Sequence, residues 1–379
     1  MKTVAILAGL AIIVSVLLDA FETVVLPRRV SRHFRLTAWF YRRTWIPWSR
    51  LARRIQSPAR REAFFGYFGP LSLIFLLGFW AAGLIFGFAL LQQGAGGHVR
   101  LGSEPVRFGT LLYHSGETFF TLGYGDIVPE SGAARVLAVL EAGTGFAFLA
   151  AVIGYLPTIY SAFSRREIEI SLLDARAGSP PSAAELLCRL GKSRDQAVLD
   201  QLFRDWERWA AEVLESHLSY PVLSFFRSQH NNQSWLGALT TILDASSIVV
   251  AGMDGIHNDQ ARLTFAMARH AMVDLAQVVN ARYQPKFPDR LPPEQLKALR
   301  QTLSATDLRM RDAPEAEEKL KYLRSLYEPY AQAIARNLFI TLPAWVPPER
   351  KKDNWQSGPW DRLIQAKGLG ELQRADEHF

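Results

Sequence analysis

The sequence predicts an all-α membrane protein: three transmembrane helices, a short re-entrant helix and loop between the second and third, and then an all-α cytoplasmic domain. Three observations carry this. Long apolar runs, Lys2 to Leu26, Phe68 to Leu91 and Val136 to Phe163, fall almost entirely before Arg165, and each can cross a ~30 Å hydrocarbon core, which takes about 20 helical residues. Arginines crowd the link between the first two runs. Beyond Arg165 the apolar residues recur at three- and four-residue spacing, the period of an amphipathic helix.

Residues 1–27 are read as the first transmembrane helix. A cleaved leader is the competing reading, since Lys2 precedes an apolar core. Cleavage would strand the arginine-rich link outside, and Asp19 and Glu22 interrupt the small-residue cleavage region, so the membrane-helix reading is preferred. Residues 28–66 form a basic, aromatic segment: Arg28, Arg29, Arg32, Arg35, Arg42, Arg43, Arg50, Arg53, Arg54, Arg60 and Arg61 are opposed only by Glu62. Short loops rich in Arg and Lys stay cytoplasmic, which places the N-terminus outside and everything after Arg165 inside. Trp39, Phe40, Tyr41, Trp45 and Trp48 interleave with these arginines, a composition suited to lying among lipid headgroups. The three-residue spacing of Arg29, Arg32 and Arg35 also suits a voltage-sensing helix. That use needs several preceding membrane helices, and only one precedes here.

Residues 67–165 hold the second run, a glycine-rich outer link from Gly94 to Gly102, a short helix, a glycine loop and the third run. The stretch "SEPVRFGTLLYHSGETFF" reads as the short helix, with Ser103 able to cap it and Pro105 suited to its first turn. It is too short to span. Irregular backbone at membrane depth survives only where protein buries it or water reaches it.

Residues 166–346 read as a helical domain and 347–379 as a charged tail. Helical spacing covers residues 195–218, 234–253, 260–279, 292–303 and 315–338, and Ser182 stands three before Glu185, a capping box. The apolar stretch 234–253 carries Asp244, Ser246 and Ser247 mid-run, which favours a buried core helix over a fourth span. Asp254, His257 and Asp259, with His270, match no standard cation loop and read as a polar turn. Trp206 and Trp209 read as core. Cys188 is the single cysteine, so no intrachain disulfide forms. No strand-and-glycine dinucleotide site is present, no cofactor is expected, and neither an enzymatic activity nor a nucleic-acid partner is expected.

The loop itself reads Thr121, Leu122, Gly123, Tyr124, Gly125, Asp126, "TLGYGD". It resembles the selectivity filter of the potassium channel family, whose closely similar loop coordinates the ion with backbone carbonyls. The resemblance covers Phe68 to Phe163. It implies that the carbonyls of Thr121, Leu122, Gly123 and Tyr124 line an ion path, that Gly123 and Gly125 supply the backbone freedom, and that Leu122 and Tyr124 point back into packing. It also implies a homotetramer, because one loop cannot encircle an ion and this chain has one copy. Glu117 and Asp126 correspond to the acids that brace the filter and are expected to share one proton. Tyr113 stands where many relatives have a tryptophan bonding the outer acid. Gly145 corresponds to the gating hinge of the inner helix, Phe146, Leu149 and Ile153 would face the inner vestibule, and Pro157 would kink or end the helix.

Departures accompany the match. Leu122 replaces the commoner valine, Phe120 replaces a polar residue, and Glu141 is an acid within the third run, a functional candidate by position, for which pairing near the pore helix and simply staying protonated in packing are the two readings. The expected function is potassium conduction, with potassium as the permeant species and membrane lipids as surroundings. A potassium uptake transporter subunit and a non-conducting membrane anchor are the alternatives.

Overall fold

The computed structural model describes residues 2–26, 35–96, 99–100, 106–191, 195–230, 232–283, 287–306 and 308–347. Among them run α1 (Lys2–Ala20), α2 (Leu36–Ala52), α3 (Pro58–Gly94), α4 (Phe108–Phe119), α5 (Gly132–Ala177), α6 (Ala183–Gly191), α7 (Gln196–Ser219), α8 (Trp235–Gly252), α9 (Asp259–Val278), α10 (Pro293–Ser304), α11 (Pro314–Ser325) and α12 (Glu328–Leu338). One antiparallel pair, β1 (Val99–Arg100) with β2 (Val128–Pro129), a π-helical turn at Phe21–Val25, a 3-10 turn at Pro221–Phe225 and a bridge between Met253 and Met310 complete the described elements. The chain divides into two compact units, Met1–Ser161 and Ala162–Phe379.

In the first unit α1 packs along α3 through glycines. A Cβ on Gly9 would lie 2.6 Å from the Gly87 carbonyl oxygen, and one on Gly87 would lie 2.7 Å from Ile13. Removing those methyl groups lets two apolar helices approach closely, which is how helices pack in lipid, where apolar burial gives no advantage. The end of α1 is fixed by Asp19, which is fully buried. Its carboxylate accepts the Thr37 amide at 3.0 Å, the Thr37 hydroxyl at 2.6 Å and the Trp80 indole N–H at 3.0 Å. Asp19 thus caps the start of α2 from another helix and ties both to α3.

The basic, aromatic segment is in part the helix α2. Phe40, Tyr41 and Trp45 are buried, with Trp45 stacked edgewise on Phe68 at 4.8 Å and Trp48 parallel to Phe64 at 4.5 Å. Arg42, Arg43 and Arg50 remain exposed on the other side. Arg29 and Arg32 lie outside the described residues. Helix α3 begins at Pro58, ahead of the apolar run, because proline at the first helical position has no amide to leave unpaired.

Two expectations for this unit need correction. The short helix α4 starts at Phe108, with Arg107 at the capping position and no side-chain cap; Ser103 and Pro105 lie outside the described residues. Helix α5 does not end at Pro157 but runs through it to Ala177.

In the second unit α8 is buried along its whole length. By length and composition it is one of four described helices able to cross a membrane, yet α6, α7, α9, α11 and α12 pack around it. Asp244 explains how an acid sits there: Arg290 donates to it at 2.6 and 3.1 Å and the Tyr327 hydroxyl at 2.5 Å. Arg290 also reaches Glu328 and the Pro343 carbonyl. Trp206 and Trp209 are buried as an edge-to-face pair, and the Ser182 hydroxyl accepts the Glu185 amide at 3.2 Å. Residues 315–338 form two helices instead of one, since Pro329 lacks the amide that would continue α11. In the turn between α8 and α9, Asp254 pairs with Arg311 and the His257 amide donates to Gln196.

Candidate functional site

The site is built on α4. Twelve residues rise about 18 Å, well short of a bilayer core, and the chain then turns back through Thr121 to Asp126. The outer side of this hairpin is held by sequence that local pattern could not reveal. After α3, β1 pairs with β2 just beyond the loop, and Ala89, Val99, Leu111 and Ile127 bury one another there. Helix α4 is anchored on its other side by Ser115, whose hydroxyl lies 2.7 Å from the Ile85 carbonyl oxygen of α3 and also bonds Glu141 of α5.

The loop backbone alternates in hand. Thr121, Gly123 and Gly125 have φ of 56°, 63° and 76°, while Leu122 and Tyr124 between them do not have positive φ. Alternation of this kind lines successive amides on one side of the chain, and it therefore turns the carbonyls to the other. A Cβ on Gly123 or Gly125 would meet nothing within 4 Å, so conformation, not space, demands glycine there. Thr121 is β-branched, and its positive φ is a rare and strained conformation, costing ~1–3 kcal/mol. Among the described residues no backbone amide donates to a carbonyl of Thr121 to Gly125, so five acceptors stand unpaired on a solvent-facing loop.

Two bonds from Glu117 hold the loop's shape. Its backbone carbonyl accepts the Leu122 amide at 2.9 Å and its carboxylate accepts the Gly125 amide at 3.3 Å. Asp126 accepts the Ile127 amide at 3.1 Å. No hydrogen bond joins Glu117 to Asp126 among the described residues, and each carboxylate takes a different amide. Tyr113 lies within electrostatic reach of both acids.

Leu122 and Tyr124, expected to point back into packing, are 54% and 69% exposed in the single chain. Phe146, Leu149 and Ile153 are likewise exposed along one face of α5, and Pro157 is exposed within the helix. Gly145 turns out to be a contact point. A Cβ there would lie 1.9 Å from the Phe119 carbonyl oxygen, so α5 touches the end of α4 through bare backbone.

Sequence reading named the loop, its acids and Gly145. It missed the partners that hold them: Ser115, Ile85, Phe119 and the β1–β2 pair. Residues of those types carry no local signal, and their contacts join positions 26 to 30 apart in the chain.

Residues 74–161 match the family model described as an ion channel, which is the span holding most of α3, α4, the loop and the first part of α5. The uncharacterized membrane protein YdjJ of Bacillus subtilis is 23% identical over 188 residues, covering 49% of this chain and 54% of that protein. Two-pore potassium channel 4 of Arabidopsis thaliana is 31% identical over 104 residues, covering 27% of this chain and 30% of that protein. The chain thus aligns with about half the length, or less, of these relatives. No solved structure matches.

Proposed function

We propose that this chain is the subunit of a potassium-selective channel in the cell membrane, formed by four copies around one pore. The observation that carries the reading is the run of unpaired carbonyls from Thr121 to Gly125, held at alternating hand by Glu117 on the end of a helix too short to span. Exposed carbonyls of this kind cannot face lipid, since hydrocarbon offers them no partner. A dehydrated cation supplies one. One loop presents acceptors from one side only, and a closed ring of identical loops completes the shell, as cyclic symmetry allows. The same ring covers Leu122 and Tyr124 with neighbouring copies.

The arginine bias places the N-terminus outside and the second unit in the cytoplasm. The exposed face of α2 meets lipid headgroups there. Phe146, Leu149 and Ile153 line the inner vestibule, and Gly145 and Pro157 are the points at which α5 bends when the second unit opens or closes it. The stretch in common with a two-pore potassium channel and the ion channel family model favour conduction over a transporter subunit or an inert anchor.

Complementation tests this in a cell unable to take up potassium. The wild-type chain restores growth on low potassium and Gly123→Ser does not, because serine at a φ of 63° deforms the loop. Equal rescue by both would sink the reading, as would a purified protein whose mass in detergent is that of a single chain.

A further inference from the structure

We propose that Glu141 is a positioning residue of the pore, held as the neutral acid and donating its proton to Ser115, so that one hydrogen-bonded chain ties α5, α4 and α3 together behind the filter. The number of protons available decides which group donates. Ser115 Oγ lies 2.7 Å from the Ile85 carbonyl oxygen and in contact with Glu141 Oε1. A carbonyl can only accept, and a hydroxyl carries one proton. Were Glu141 ionised, that one proton would have to serve two acceptors, and one pair of oxygens would face each other bare. With the proton on Glu141, each contact has its own: Glu141 O–H to Ser115 Oγ, then Ser115 O–H to the Ile85 carbonyl.

The surroundings agree with a neutral group. Glu141 is fully buried, and its Oε2 has no hydrogen-bond partner among the described residues. No cation pairs with it among the described residues. Helix α3 has no charged residue after Glu62, and its one other titratable group is Tyr67. Helix α4 brings Tyr113, His114 and Glu117. On α5 itself the titratable groups before Arg165 are Arg135, which donates to the Pro129 carbonyl, and the phenols Tyr155 and Tyr160. An ionised carboxylate without a partner in such a place is strongly disfavoured.

Position gives the chain its use. Ser115 and Phe119 are one turn apart on α4, and Glu141 and Gly145 are one turn apart on α5. The Ser115–Glu141 bond and the Phe119–Gly145 contact therefore fix the register of the two helices at two successive turns. Glu117, which shapes the loop through Gly125, lies between them. Letting α5 slip frees α4, and the loop follows.

The test joins infrared spectroscopy of the full-length protein in vesicles with potassium flux. The wild type should show the carbonyl stretch of a protonated carboxyl that disappears in Glu141→Gln and shifts in Ser115→Ala. Glutamine still donates to Ser115, so Glu141→Gln should keep its flux, whereas Glu141→Leu should lose about tenfold. Absence of that band from the wild type overturns the proposal, as does a glutamine variant as impaired as the leucine one. The flux arm rests on the conduction reading and the infrared arm does not. A band with silent vesicles would refute conduction and leave the proton relay standing.

Discussion

Gly145→Ala separates two uses of one glycine by the sign of its effect. A glycine serving only as a hinge sits inside a helix at a cost of ~0.5–1 kcal/mol relative to alanine, so alanine should stabilise the protein. The structure predicts the reverse. The new Cβ would lie 1.9 Å from the Phe119 oxygen, 2.8 Å from its carbonyl carbon and 3.1 Å from its Cα. Comfortable C···O contacts start near ~3.3 Å, so α5 must recede from α4 by about 1.4 Å, and the obstacle is backbone that no rotamer can move aside. Overpacking of this kind costs ~1–3 kcal/mol. Net of the helix gain, Gly145→Ala destabilises by about 1 kcal/mol, within a span of roughly 0–2.5 kcal/mol. Thermal unfolding in detergent measures it, with Gly143→Ala as the control, because a Cβ at Gly143 meets nothing within 4 Å. The control should match or exceed wild type, and Gly145→Ala should melt lower and lose flux. Equal stabilisation of both variants would refute the contact.

Further outcomes follow from other named contacts. Glu117→Ala leaves the Gly125 amide without its acceptor and should erode the potassium-over-sodium flux ratio through a loss of ~1–3 kcal/mol, while Glu117→Gln keeps an acceptor and most of the ratio. Asp244→Ala removes two of the bonds that hold Arg290 and the acceptor of the Tyr327 hydroxyl, leaving Glu328 and the Pro343 carbonyl on the guanidinium, a loss of at most ~3–5 kcal/mol visible as a lower melting temperature, with Asp244→Asn milder. His217 is buried; its Nδ1 faces the Val213 carbonyl at 2.8 Å and so carries the proton, leaving Nε2 to accept from Arg166 at 3.2 Å. Burial, and then the Arg166 charge, push the imidazole well below its usual range. Its folded pKa being depressed, the unfolded chain binds the extra proton first. Stability is therefore full above about pH 6.5 and falls as pH drops below it, by at most ~1.4 kcal/mol per pH unit. Melting curves between neutral and acidic pH should show this slope for wild type and lack it for His217→Gln.

What the sequence disclosed was whatever rests on local pattern. Apolar run length located α1, α3 and α5, and three- and four-residue spacing located α7 to α10. The glycine loop was legible because its residue types are dictated by backbone angles, not by neighbours. Asp244 marked α8 as a helix to be buried, and it is buried, but its partner Arg290 lies 46 residues on, beyond any periodicity. Asp19 was read only as an obstacle to cleavage; its work as a cap for α2 depends on Thr37 and Trp80, 18 and 61 residues away. Strands of two residues carry no alternation to detect, so the β1–β2 pair was invisible.

The central claim is tested most directly by cation flux through the purified protein in lipid vesicles. The account predicts potassium entry far faster than sodium entry, blocked by barium and abolished by Gly123→Ser. Equal rates for the two cations, or a selective flux that survives Gly123→Ser, would contradict it.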